Sequence, residues 1–174
     1  MARLFTGIAL PPAVVQKLQA LQPSPMPGIR LVKAEQMHLT LHFIGEGEVE
    51  VYRQGLEKLR SPHFSITIEA LGKFANRKET ILWAGVREST ELQSLHREME
   101  AVLVMVGYQP EMRPYHPHLT LARCDGRVPG EVVEAFLTQP FEPDEFRVNE
   151  VVLFSSVLSS QGPTYHQEFV IQLR

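Results

Sequence analysis

Apolar and polar positions along this chain change period many times. Residues 3–10 (RLFTGIAL) predict a strand. Pro11 and Pro12 then suit the first turn of a helix, where no amide hydrogen is required, and Val14, Val15, Leu18 and Leu21 recur at helical spacing. Residues 22–30 (QPSPMPGIR) are a Pro-rich loop that a helix could not cross. Residues 37–44 (MHLTLHFI) alternate like a half-buried strand and stop at Gly45. A helix over 48–60 puts Val49, Tyr52, Leu56 and Leu59 on one face. Strands follow at 63–71 and at 80–86 around Trp83, separated by the polar loop Asn76–Glu79. Thr90 with Gln93 predicts a capping box for a long helix that ends at Gly107. A strand at 115–123, a short helix at 130–138 and strands at 146–154 and 164–173 complete the chain, with Gly162-Pro163 as a turn.

One tetrapeptide occurs twice. His-Leu-Thr-Leu stands at 38–41 and again at 118–121, each time on a predicted strand with a helix before and after it. No linker is long enough to separate independent domains. The pattern predicts two similar lobes packed as one unit, with antiparallel sheets and helices outside.

Composition narrows the chemistry. The 174 residues carry 17 Lys+Arg against 20 Asp+Glu, a net charge of -3, and 44% are apolar. Wholesale disorder is excluded, and sequence-blind coating of nucleic acid is disfavoured, because that needs many cations on phosphates. A single strand end remains within reach of one local pocket. The one cysteine, Cys124, excludes an internal disulfide framework and a thiolate zinc cage. No apolar run approaches a membrane span and Pro11-Pro12 interrupt the N-terminal one, so the expectation is a cytoplasmic protein without a membrane partner.

In a strand, residues two apart share a face. His38 and Thr40 therefore point one way and Leu39 and Leu41 the other, and likewise His118 and Thr120 against Leu119 and Leu121. If the lobes face one another, two imidazoles and two hydroxyls converge. Imidazole titrates nearest neutrality, so two of them can serve as an acid–base pair, while Thr hydroxyls donate to non-bridging phosphate oxygens. Such a cleft suits a phosphodiester, above all a strained cyclic one, with no metal required.

With these residues in place, the chain resembles the two-histidine phosphoesterases, and within them the RNA 2',3'-cyclic phosphodiesterases of the bacterial and archaeal 2'-5' RNA ligase family. The resemblance runs through Arg3-Leu4-Phe5, the HXTX motif at His38–Leu41 with Phe43-Ile44-Gly45, Leu82–Val86, Pro117–Arg123 and Gly162–Tyr165. It implies a single bilobal α+β domain over 1–174, a pseudo-twofold repeat with two mainly antiparallel sheets lining a central groove and helices outside, and hydrolysis of a terminal 2',3'-cyclic phosphate to a 2'-phosphate on an RNA 3' end or a small cyclic nucleotide. It implies no metal, and the expectation is a monomer without a cofactor. His38 would be the proton donor and His118 the proton acceptor, although the near-identical motifs themselves do not separate these roles. A weak 2'-5' ligation, with an RNA hydroxyl in place of water, is also implied.

Other residues read two ways. Arg123 matches a family arginine and suits phosphate, but strict alternation places it opposite His118, so a bulge after Leu121 is needed; otherwise it makes an ion pair. His42 shares a face with His38 in strict alternation, as a groove-rim residue or a solvated one. Tyr165 is a base-stacking platform or a structural ring. Phe43 and Trp83 also offer base-stacking rings but are expected in the core, as are Met99 and Met105. His63, His96 and His166 are expected to be structural or exposed, and Cys124 inert. Two other readings compete: a metallohydrolase holding zinc through His38, His116 and His118, and an RNA-end-binding module without turnover.

Overall fold

Nine strands and four helices make up the molecule in a computed structural model that describes residues 1–174. The order is β1 (Ala2–Ala9), α1 (Pro12–Leu21), β2 (Ile29–Leu31), a 3-10 turn (Ala34–Gln36), β3 (His38–Gly47), α2 (Val49–Leu56), β4 (Phe64–Ala75), β5 (Thr80–Val86), α3 (Thr90–Val104), β6 (His118–Cys124), α4 (Gly130–Thr138), β7 (Asp144–Val148), β8 (Glu150–Ser159) and β9 (Gly162–Gln172). One sheet runs β3-β1-β8-β9 and the other β2-β6-β5-β4-β7, with every pairing antiparallel. This is the α+β architecture with two like lobes. β1-α1-β3-α2 in one lobe matches β5-α3-β6-α4 in the other, and each repeated tetrapeptide opens the strand that comes after the first helix.

The register carries the likeness further. His38 lies opposite Ala9 on β1, and His118 opposite Gly85 on β5. Leu4 and Ile8 on β1 face a main core of 30 buried residues drawn from both sheets and all four helices. The other face of β1 offers Phe5, which joins Val152 and Phe154 in a smaller apolar cluster beneath the groove. The lobes are tied where they meet. The Tyr115 hydroxyl donates to the Thr40 carbonyl at 2.7 Å, and Gln22 Nε2 donates to the carbonyls of Val32 and Leu121, each at 2.8 Å.

Several expectations change. The strand predicted over 146–154 is two strands: β7 closes one sheet, the chain turns at Asn149, and β8 enters the other. Apolar alternation continues across that crossing, which hides it. The Pro-rich loop holds the short strand β2, which adds to the edge of β6. Helix α3 is capped one residue earlier than predicted, by Ser89, whose hydroxyl accepts from the Leu92 amide at 3.0 Å. Met99 is buried, but Met105 lies just past the helix end and is 67% exposed.

Candidate active site

Both motif strands carry a β-bulge at the same place. On β3, Thr40 pairs with Gly7 and His42 with Thr6, so Leu41 is the extra residue. On β6, Thr120 pairs with Trp83 and Ala122 with Leu82, so Leu121 is extra. A bulge inserts one residue and reverses the alternation beyond it. Leu39, Leu41 and His42 are accordingly buried, as are Leu119, Leu121 and Ala122. His38, Thr40 and Phe43 share the groove face of one strand, and His118, Thr120 and Arg123 that of the other.

The bulges resolve the two-way residues. Arg123 does turn to the face of His118, and there its guanidinium also holds Glu79 at 2.7 Å. His42 does not line the groove. It is 3% exposed, beneath the bulge, with its Nδ1 3.3 Å from the Thr6 hydroxyl and its ring stacked on His96 at 4.1 Å. His96 stacks in turn on Tyr115 at 4.0 Å. Phe43, expected in the core, is 62% exposed.

The two motif histidines are held in the same way. His38 Nδ1 lies 2.7 Å from the Gln36 carbonyl, and His118 Nδ1 lies 2.8 Å from the His116 carbonyl. A carbonyl only accepts, so Nδ1 carries the hydrogen in each ring and Nε2 is left to exchange a proton. His38 Nε2 meets the Thr40 hydroxyl at 2.8 Å. Aromatic rings set the orientation. His38 rests against Phe5 at 4.8 Å and meets Tyr165 edge-on at 5.1 Å, with Phe154 at 5.8 Å. His118 meets Phe74 edge-on at 5.0 Å, with Trp83 at 6.2 Å.

Burial pulls both imidazoles below their ordinary range, against the help of their carbonyl partners. Each also feels positive charge: His118 bears on His38, and His116 and Arg123 bear on His118. Burial raises the Tyr165 phenol. Cys124 is buried and its thiol is pushed up, which suits an inert residue.

Sequence reasoning misses Phe5, Phe74 and Phe154 as the walls behind the histidines. Phe74 is hidden because β4 runs past the predicted end of its strand to Ala75. Trp83 packs across Gly72, where a Cβ would stand 2.3 Å from the indole. Gly72→Ala is therefore expected to displace the indole and lower stability by about 1–3 kcal/mol. Trp83 is the only tryptophan, so a shifted emission maximum and a lower Tm would report it, and unchanged emission would refute the packing argument.

The donors of His38, His116 and His118 do not gather as a metal site. The one group whose donor atoms all lie within 4.8 Å of one another is His42, His96 and Glu100. There the two rings stack with planes 20° apart, so their in-plane lone pairs run side by side instead of converging on a cation.

Two like lobes, each giving one bulged His-x-Thr strand to a shared groove, define the two-histidine phosphoesterase architecture. The chain belongs to the 2'-5' RNA ligase superfamily, whose family profile matches residues 10–158. It is 33% identical over 144 residues to an RNA 2',3'-cyclic phosphodiesterase of Aeropyrum pernix, covering 79% of this chain and 82% of that one. It is 30% identical over 183 residues to the protein of the same name from Bacillus subtilis, covering 97% and 95%. The fold of E. coli LigT, solved with 3'-AMP, superposes with a TM-score of 0.79 at 24% identity, covering 99% of this chain and 98% of LigT.

Proposed function

We propose that this chain hydrolyses the 2',3'-cyclic phosphate at an RNA 3' end to a 2'-phosphomonoester, with His38 and His118 as acid and base and no metal. The observation that carries the reading is the matched pair of Nδ1–carbonyl contacts, which leaves two Nε2 atoms as the proton-exchanging groups of one groove. Water attacks phosphorus and gives its proton to His118 Nε2. The bond from phosphorus to O3' breaks, and O3' takes a proton from His38 Nε2. Burial, and after it His116 and Arg123, favour a neutral His118, the state a base requires; burial lowers His38 as well, so its assignment as the acid rests on the family resemblance. On this reading Thr40 and Thr120, on the same strand faces as the histidines, donate to the non-bridging oxygens, Arg123 adds a cation and Tyr165 braces His38. The 5'-hydroxyl of a second RNA in place of water would form a 2'-5' linkage through the same proton transfers.

A short RNA ending in a 2',3'-cyclic phosphate, incubated in excess EDTA, is expected to give the 2'-monoester and no 3'-monoester. Phosphorus NMR of the product separates the two. Formation of the 3'-monoester would overturn the assigned leaving group, and activity lost in EDTA would overturn the metal-free mechanism.

A further inference from the structure

At the far end of β6 from His118 lies a cavity of about 540 Å³ whose lining includes Arg30, Lys78, Arg123 and Arg127 with Glu79 and Asp125. This collects four cations and two carboxylates in a chain whose net charge is -3. Both carboxylates are engaged, Glu79 by Arg123 at 2.7 Å and Asp125 by Arg127 at 2.8 Å. Arg30 and Lys78 carry the surplus.

The way Arg30 arrives is informative. Strand β2 has only three residues, and its register sets Arg30 directly opposite Arg123 on β6. Like charges directly opposite on antiparallel strands are destabilising. Glu79 offsets one of them, and an anion seated between the guanidiniums would offset both. Arg123 links the cavity to the reacting groups, because it lines the cavity and shares a face of β6 with His118 and Thr120. Arg123 and Arg30 both bear on the Tyr165 phenol, which packs on His38, and Arg123 also bears on His118. Along β6, Arg123 stands five residues beyond His118, about 16 Å at strand rise and less across the bulge at Leu121. The volume is of the size that holds a small ligand. Its lining has no aromatic platform and is rich in forked donors, which suits phosphate oxygens over base edges.

We propose that this cavity is a second anion subsite, which binds an internucleotide phosphate of the RNA strand that leads to the cyclic end. The proposal rests on the hydrolase reading for the placement of that end. It makes the chain an enzyme of oligonucleotide ends in preference to mononucleotides, with little regard for sequence upstream.

The test compares the wild type with a double variant, Arg30→Ala with Lys78→Ala, both positions being exposed. For a trinucleotide ending in 2',3'-cyclic phosphate, kcat/KM is expected to fall about tenfold, mostly through KM. For a nucleoside 2',3'-cyclic phosphate it should fall far less. Anisotropy of a labelled trinucleotide ending in 2'-phosphate reads the same surface without turnover. The variant should bind about tenfold more weakly, with a log–log salt slope shallower by about 0.7 for one lost phosphate contact. Equal trinucleotide affinity in both proteins, or equal losses on both cyclic substrates, overturns the subsite. Weakened binding by the variant, with no hydrolysis by the wild type, keeps the subsite and sinks the hydrolase reading.

Discussion

Replacing either motif histidine by asparagine is expected to lower kcat/KM on a 2',3'-cyclic phosphate end by about a hundred- to ten-thousandfold. Asparagine is the sharp substitution here. Its amide hydrogen can still reach the carbonyl that Nδ1 holds, Gln36 for position 38 and His116 for position 118, and only the proton-exchanging Nε2 is lost. The fold should survive, since both residues stand at the start of a strand on the groove face. The double variant should be little worse than either single one, because the two rings act on one bond-breaking event. An activated aryl phosphodiester separates the roles. Its leaving group departs without a proton, so it should restore His38→Asn by a large factor and leave His118→Asn impaired. The wild-type kcat/KM profile should be bell-shaped with both limbs below about 6.5, because burial holds both imidazoles down. Single variants within tenfold of wild type would remove the acid–base pair from the mechanism.

The groove is legible in the sequence because its chemistry is written twice and in period two. Leu39 and Leu119 report the buried face of each strand, and His38 and His118 the other, whatever else the chain does. Beyond Leu41 and Leu121 the pattern misleads. A bulge adds one residue without any local signature here, since leucine on the buried face is what unbroken alternation also predicts. That single insertion moves His42 inward and Phe43 outward, and it brings Arg123 to the groove. The same limit hides the crossing at Asn149, where apolar alternation continues from one sheet into the other. Arg30 is hidden for a different reason. Three residues inside a Pro-rich loop carry no strand pattern, and only pairing with β6 makes them one. Local periodicity thus defines faces, whereas register between strands decides which side chains finally meet.

The second large effect is the loss of stability in acid that His42 should cause. Its ring is buried, faces His96, Glu100, Thr6 and Tyr108, and has an Nε2 with no hydrogen-bond partner. Burial, reinforced by the charge of His96, pulls its pKa from 6.5 down to about 3. At neutral pH the ring is therefore uncharged, and the 4.0 Å approach of Glu100 is not an ion pair. As pH falls, the unfolded chain takes up this proton first. Stability from the neutral ring is complete above about 6.5 and drains by about 1.4 kcal/mol per pH unit until about 3. His96, also held down by burial, adds in the same direction, and Glu100 opposes it by favouring the cation. His42→Asn keeps an amide near Nδ1 for Thr6 and does not titrate. It should be less stable at pH 7.5 by about 2 kcal/mol from the lost ring packing. Between pH 7.5 and 5.0, however, the wild type should lose about 2 kcal/mol more than the variant does, at 1.4 kcal/mol per unit. Urea melts at both pH values measure this, and parallel losses would show that the ring is not held neutral. The consequence reaches the groove through the backbone. The Leu41 carbonyl faces His96, and the Thr40 carbonyl accepts from Tyr115, so the His42–His96–Tyr115 stack braces the bulge that aims His38 and Thr40. Two cations forced into that stack would push it apart. Activity lost at low pH should then return more slowly than proton transfer alone allows, in step with recovery of the fold.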